Sequence, residues 1–372
     1  MDVQNTLLEL RTKRGISAAR LAAEVGVSRQ TVYAIEAGTY VPNTAVSLKL
    51  ARVLEVQVEQ IFQLEVVAKD ETKKVEVCLL SKVDEAQVGQ PLRLCRVGSQ
   101  IVAVPPEPGV WSLPSADAVL ESTMRGTTHS AKATVTGVQW DTPNRMLIAG
   151  CDPSASILEH SLRSQGFELL ISYQNSSESL ELLKQKLVHI AGTHLVDKAS
   201  GEFDMARVRS LLGTTAVSVY AYALWEEGIT VSGGNPSGIR SVADFANAGV
   251  RIINREPGSG CRQLLDSLLR SAGVDHHRVN GYDKIARGHL PAARLVQSGE
   301  VDCCISTRTV ARALGLEFIP LVRRPYHLVI RRTSLKLPAV QALLELLGRT
   351  SFRREIEACT GYDMRAAGEL IS

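Results

Sequence analysis

The pattern of apolar and polar positions divides the 372-residue chain into three parts. Over residues 1–64 the apolar spacing is helical throughout. Leu7, Leu8 and Leu10 open one face, Leu21, Ala22 and Val25 form a second stripe, and Val32 and Ile35 a third. Gly26 breaks the pattern, and Ser28 then offers an N-cap for a new helix. A Gly/Pro/Asn connection, GTYVPNTA, leads to a helix over Ala45–Leu54 and a short one closing on Ile61 and Phe62. Residues 65–144 change to short strand-like runs, KKVEVCLL, PLRLCRV, SQIVAVP, DAVLES and KATVTGVQW, separated by Gly, Pro and Asp. From Arg145 to the end, strand and helix patterns alternate, which predicts parallel α/β layers. Two long extended stretches, near 213–235 and 317–330, interrupt that alternation. Two α/β halves joined by two extended crossings predict a two-lobed domain, with a cleft at the C-terminal ends of the strands.

Composition narrows the class. Hydrophobic residues make up 45% and charged residues 22%, which suits folded cores and argues against wholesale disorder. The net charge of +3 is too small to argue for nucleic acid alone. Residues 1–64 hold seven Lys/Arg against six Asp/Glu, so a module this weakly basic is expected to hold DNA as a homodimer. No apolar run is long enough to span a membrane, and the N-terminus predicts an amphipathic helix in place of a signal peptide. Seven scattered cysteines, with Cys303-Cys304 adjacent, suit free thiols in a reducing cytoplasm. Their spacing matches no metal site, and no cofactor is called for.

The first candidate surface is the helix that follows Ser28. Arg29, Gln30, Thr31 and Tyr33 lie opposite its buried side, near its N-terminus, where a helix-turn-helix presents side chains to a major groove. Tyr33 suits either a phosphate contact or packing. Glu36 is expected to pair with Arg11 across the small core and to make no base contact. The stretches from Leu7 to Gly15, Leu21 to Gly38 and Ser47 to Val56 resemble the Xre/Cro family of helix-turn-helix repressors. That resemblance implies that the Ser28 helix enters the groove.

The second candidate region is Asn254 to Arg262, NREPGSGCR, between a strand and a helix. Gly258 and Gly260 permit a tight turn and close approach, Ser259 offers a hydroxyl, and Arg262 a charge. Free amides at the start of the helix, with Cys261 among them, favour an anion. The same Pro-Gly-Ser-Gly also suits an ordinary strand-to-helix turn. Further strand-end loops offer Asp152 and Ser154, Ser176, Thr193 and His194, and Ser306. Asp152 and Glu256 repel an oxyanion, which leaves them to cap, to point outward, to contact a metal centre, or to meet an amino group. A Cys261 nucleophile with His194 or His289 as base is the enzymatic alternative; nothing in the sequence orients such a pair, and the chain is read as a non-enzyme.

The stretches AGCDPS (149–154), HIAGTHLVD (189–197), INREPGSGCRQLLD (253–266) and GYD (361–363) resemble the type II periplasmic-binding-protein-like domain found fused to helix-turn-helix regulators. That domain is related to molybdate- and tungstate-binding proteins. The resemblance implies a one-component transcription regulator that binds operator DNA and a small oxyanion, with molybdate or tungstate favoured. An organic acid or other metabolite as effector, and a ligand-binding or enzymatic domain without DNA regulation, are the alternatives.

Overall fold

A computed structural model describes all residues except 1–2, 65–72, 82–85, 107–114, 125–128, 137–138, 198–201 and 214. The chain divides into two units, Met1–Lys73 and Lys74–Ser372.

The first unit carries five helices: α1 (Leu7–Lys13), α2 (Ala18–Val25), α3 (Arg29–Glu36), α4 (Thr44–Val53) and α5 (Val58–Ile61). Leu7, Leu21, Val25, Val32, Ile35, Leu50, Leu54 and Ile61 close its core. Side-chain caps fix the helix starts. Ser17, Ser28 and Asn43 each accept a backbone N–H of the following turn. Gly26 ends α2 in the left-handed conformation at φ 81°, the turn that an L side chain resists. One expectation is corrected here. Residues 3–5 are not helical: β1 (Val3–Asn5) pairs antiparallel with β2 (Phe62–Leu64), and the two segments complete each other's backbone bonds.

In the second unit the five β-like runs form β3 (Lys74–Leu79), β4 (Pro91–Val97), β5 (Gln100–Val104), β6 (Ala118–Thr123) and β7 (Ser130–Val135). They close into a barrel in the order β3-β5-β4-β6-β7, which leaves no strand edge unpaired. Residues 137–138 of the last run lie outside the described residues. The barrel packs on the α/β layers through Leu80, Cys95, Val97, Val102 and Val104. A buried ion network joins the two. Arg145, 4% exposed, donates to Asp117 Oδ2 at 2.6 Å and to the Leu94 carbonyl at 2.7 Å, and it pairs with Glu168, which also meets Arg93.

The α/β part continues as β8 (Arg145–Gly150), α6 (Ala155–Arg163), β9 (Glu168–Tyr173), α7 (Ser176–Lys184), β10 (Ile190–Thr193), α8 (Met205–Leu212), β11 (Val217–Val231), β12 (Ile252–Arg255), α9 (Gly260–Ser271), β13 (Ile285–Ala286), α10 (His289–Gln297), β14 (Cys303–Thr307), α11 (Arg308–Ala313), β15 (Glu317–Arg331), α12 (Pro338–Gly348), α13 (Thr350–Ala358) and β16 (Tyr362–Asp363). β8, β9 and β10 run parallel in one lobe, and β12, β13 and β14 run parallel in the other. The two extended crossings are β11 and β15. They pair with each other along their length; β15 borders β10 at one end, and β11 borders β14 at the other. The lobes therefore share one long antiparallel ribbon. Its register shifts at two points, between Ala221 and Ala223 and between Glu227 and Gly228. Among the described residues no helix is long and apolar enough to cross a membrane.

Candidate functional site

On the first unit, α3 presents Arg29, Gln30 and Tyr33 outward while Val32 and Ile35 are buried. Ser28 Oγ accepts the Thr31 N–H at 3.0 Å and lies 2.8 Å from Thr31 Oγ1, so both hydroxyls serve the start of the helix. Arg29 donates to the Tyr33 hydroxyl at 2.8 Å and lies over its ring at 5.3 Å. This stacking holds the guanidinium near the helix N-terminus. Arg11 donates Nε to Glu36 Oε1 at 2.5 Å and Nη2 to Oε2 at 3.2 Å, the expected pairing across the core. Glu36 is thereby turned away from the exposed face.

In the second unit, the ends of β8, β10 and β12 and the start of α10 meet the middle of the ribbon. His194, 1% exposed, follows β10. Its Nδ1 lies 2.9 Å from Glu227 Oε1 of β11, at ion-pair distance but not aligned as a hydrogen bond. Burial opposes a charge on His194, but its interactions with Cys151 and Glu227 outweigh it and raise its pKa to about 9. Trp225 stands edge-on to His194 at 4.7 Å and to His289 at 5.3 Å, and Tyr326 lies 4.9 Å from Trp225. Arg324 reaches Glu227 Oε2 at 3.7 Å. Arg255, 1% exposed, grips its neighbour Glu256 with Nε and Nη2, both at 3.0 Å. Among the described residues, the polar groups of these elements without a hydrogen-bond partner include Asn175 Nδ2, Trp225 Nε1, Arg255 Nη1 and His289 Nε2, together with His194 Nδ1 and the acceptor Glu227 Oε2.

The glycines of the PGSG loop do allow a close approach, but what approaches is protein. A Cβ at Gly260 would lie 2.4 Å from His194 Cε1, and one at Gly258, where φ is +90°, 3.1 Å from Asn175 Oδ1. Ser177 Oγ also donates to the Gly258 carbonyl at 3.1 Å. The two lobes are thus in contact here.

Several candidate donors are engaged within the protein. Ser259 accepts the Arg262 N–H at 3.2 Å and donates to the Glu256 carbonyl at 2.9 Å, as the cap of α9. Arg262 turns to Asp266 at 3.1 Å and lies over the Tyr282 ring at 4.1 Å, so its charge is met on the helix surface. Asp152 accepts from Tyr362 at 2.6 Å and from Ser154 Oγ at 2.9 Å, and Ser154 lies 2.7 Å from the Tyr222 hydroxyl. Burial raises the Asp152 pKa, and this closed network explains the carboxylate without a ligand. Ser176 Oγ accepts the His194 N–H, and Thr193 Oγ1 the Leu195 N–H. Ser306 Oγ donates to the His289 carbonyl at 3.4 Å. Cys261 does lie 3.8 Å from His289 Nδ1, but burial, reinforced by Glu227, pushes its pKa well above the ordinary thiol value. A thiolate nucleophile is disfavoured there.

Sequence reasoning passed over Trp225, Glu227, Arg255 and Arg324, and it weighed His289 only as a base. One signal was present. In VSVYAYALWEEGITV two carboxylates interrupt an otherwise apolar strand, and only Glu226 finds an outer partner set, Arg308 and Arg323. It also read no metal-ligand set. The fold brings ligand atoms of Cys151, His194 and His289 within 4.8 Å of one another, from three segments far apart in the chain.

Comparison with known proteins agrees with this architecture. A family model described as a PBP superfamily domain matches residues 158–348, and a helix-turn-helix model matches residues 7–61. The uncharacterized protein YvgK of Bacillus subtilis is 33% identical over 230 residues, covering 62% of this chain and 74% of that protein. The uncharacterized HTH-type transcriptional regulator YgzD of the same organism is 43% identical over 63 residues, covering 17% of this chain and 96% of that protein. Among solved structures, a putative phosphate ABC transporter substrate-binding protein with bound phosphate, from Clostridium perfringens, aligns at TM-score 0.46 and 11% identity over 58% of this chain and 97% of that one. The chain belongs to the PBP superfamily domain family, and it carries that binding-protein domain fused to an Xre-type helix-turn-helix regulator module.

Proposed function

We propose that this regulator binds operator DNA as a homodimer through residues 1–64 and senses a small oxyanion between the lobes of residues 145–372, with residues 65–144 as connector. The observation that carries the anion reading is the set of buried donors without partners. Arg255 Nη1, Trp225 Nε1 and Asn175 Nδ2 are each enclosed and unpaired. A buried donor left unpaired costs roughly 1–3 kcal/mol, and an oxyanion, which offers only acceptors, removes that cost. Arg255, buried at the end of β12, supplies full charge. Molybdate and tungstate are the favoured ligands. Organic acids present the same acceptors and are the second reading.

Calorimetric titration of chelator-treated protein with molybdate, tungstate, sulfate and phosphate tests this. Trp225→Phe removes the indole N–H donor together with part of the ring and is expected to weaken binding at least about five- to tenfold, corresponding to roughly 1–1.4 kcal/mol for the lost donor. Equal affinity of Trp225→Phe, Arg255→Lys and the parent protein would place the anion elsewhere. Saturable binding of a carboxylic acid and of none of the four oxyanions would favour the second reading.

A further inference from the structure

We infer that Cys151, His194 and His289 form a binding site for one transition-metal ion of the zinc class. The proposal is independent of the anion reading and uses none of its three unpaired donors. The three ligand atoms lie within 4.8 Å of one another and all three residues are buried. Ligands at the usual 2.0–2.3 Å around a tetrahedral ion sit roughly 3.3–3.8 Å apart, so small side-chain rotations complete the set. One sulfur and two imidazole nitrogens suit a borderline-soft ion and exclude calcium or magnesium.

The surroundings are those of a metal-bound histidine pair. Glu227 Oε1 stands 2.9 Å from His194 Nδ1, which leaves Nε2 as the nitrogen free to take a metal. A carboxylate behind the imidazole fixes ring orientation and strengthens the ligand. Cys261 Sγ lies 3.8 Å from His289 Nδ1, and His289 Nε2, in a side chain only 2% exposed, has no partner at all. Trp225 and Tyr326 wall the cluster with aromatic surface. Three protein ligands leave a fourth position open. A divalent ion with one thiolate carries a net charge of +1, which is compatible with an anion nearby. Cys151 and His194 belong to one lobe and His289 to the other, so the ion makes its full contact set only with the lobes together. It therefore favours the closed form by its differential affinity.

Cobalt(II) titration of the reduced, chelator-treated full chain, with no oxyanion present, tests the site. The expected result is one equivalent bound with a tetrahedral ligand-field spectrum and a thiolate charge-transfer band. Cys151→Ser should abolish that band, and His289→Gln should weaken binding at least tenfold, whereas Cys303→Ser should leave both unchanged. X-ray absorption on the zinc-loaded parent protein, expected to find one sulfur and two imidazole nitrogens, does not depend on any variant folding. No cobalt binding, an all-oxygen shell, or a spectrum unchanged in Cys151→Ser would overturn the proposal. Because the anion titration uses metal-free protein, either claim can fail alone.

Discussion

The start of α9 rests directly on the imidazole of His194. No side chain fits at Gly260, where a Cβ would come within 2.4 Å of His194 Cε1. One lobe supplies the glycine and the other the histidine, so this contact measures closure. Gly260→Ala should wedge the lobes and cost about 1–3 kcal/mol, as overpacking generally does. Hydrogen exchange should quicken at residues 193–195 and 259–262. Unchanged exchange at both segments would mean that the lobes do not close through this contact.

On the DNA side, Arg29 and Gln30 project from the first turn of α3. Replacing either with Ala should cost roughly 1–3 kcal/mol at the operator and leave non-specific binding nearly intact. Equal losses on operator and random DNA would assign them to phosphate contact only. Protected half-sites should fall about one helical turn apart for a symmetric dimer.

The Arg11–Glu36 pair holds α1 against α3 with side chains only 13% and 6% exposed. Glu36→Ala leaves a largely enclosed guanidinium without its partner. The expected loss is about 2–4 kcal/mol of stability in the first unit, read by denaturation, with the groove-facing residues untouched. Glu36→Gln should recover part of it.

Acid should destabilise the second unit through His189. Burial pulls its pKa down to about 4, and its Nδ1 accepts the Leu147 N–H at 3.0 Å. The folded pKa lies below the ordinary 6.5, so the unfolded chain takes up the proton first. The contribution is present above pH 6.5 and is lost as pH falls toward 4, up to about 3 kcal/mol. A His189→Gln variant should show a flatter stability profile between those values. An identical slope would remove His189 from the account.

How far the sequence could be read depends on how local the signal is. Ser28, Gly26 and the Val32/Ile35 spacing act within one turn of their helix, so α3 begins at Arg29, where the cap places it. All five barrel strands were visible as runs, but closure depends on β3 meeting both β5 and β7, which alternation does not encode. The cleft was legible as loops and not as chemistry. Hydroxyl-rich loops drew the reading to Ser259 and Arg262, which the fold spends on a helix cap and a surface ion pair. The charges that do face inward, Glu227 and Arg255, sit in apolar strands, and Cys151, His194 and His289 meet only because three chain-distant segments converge.

The central claim is that ligand in the cleft alters the hold on DNA. Operator affinity is measured with and without saturating molybdate or tungstate, and ligand affinity with and without operator. A coupling of roughly 1–3 kcal/mol is expected, about 5- to 150-fold, and it must be the same factor in both directions. An operator affinity unchanged by any ligand that binds the cleft would contradict the account, even with both binding activities present.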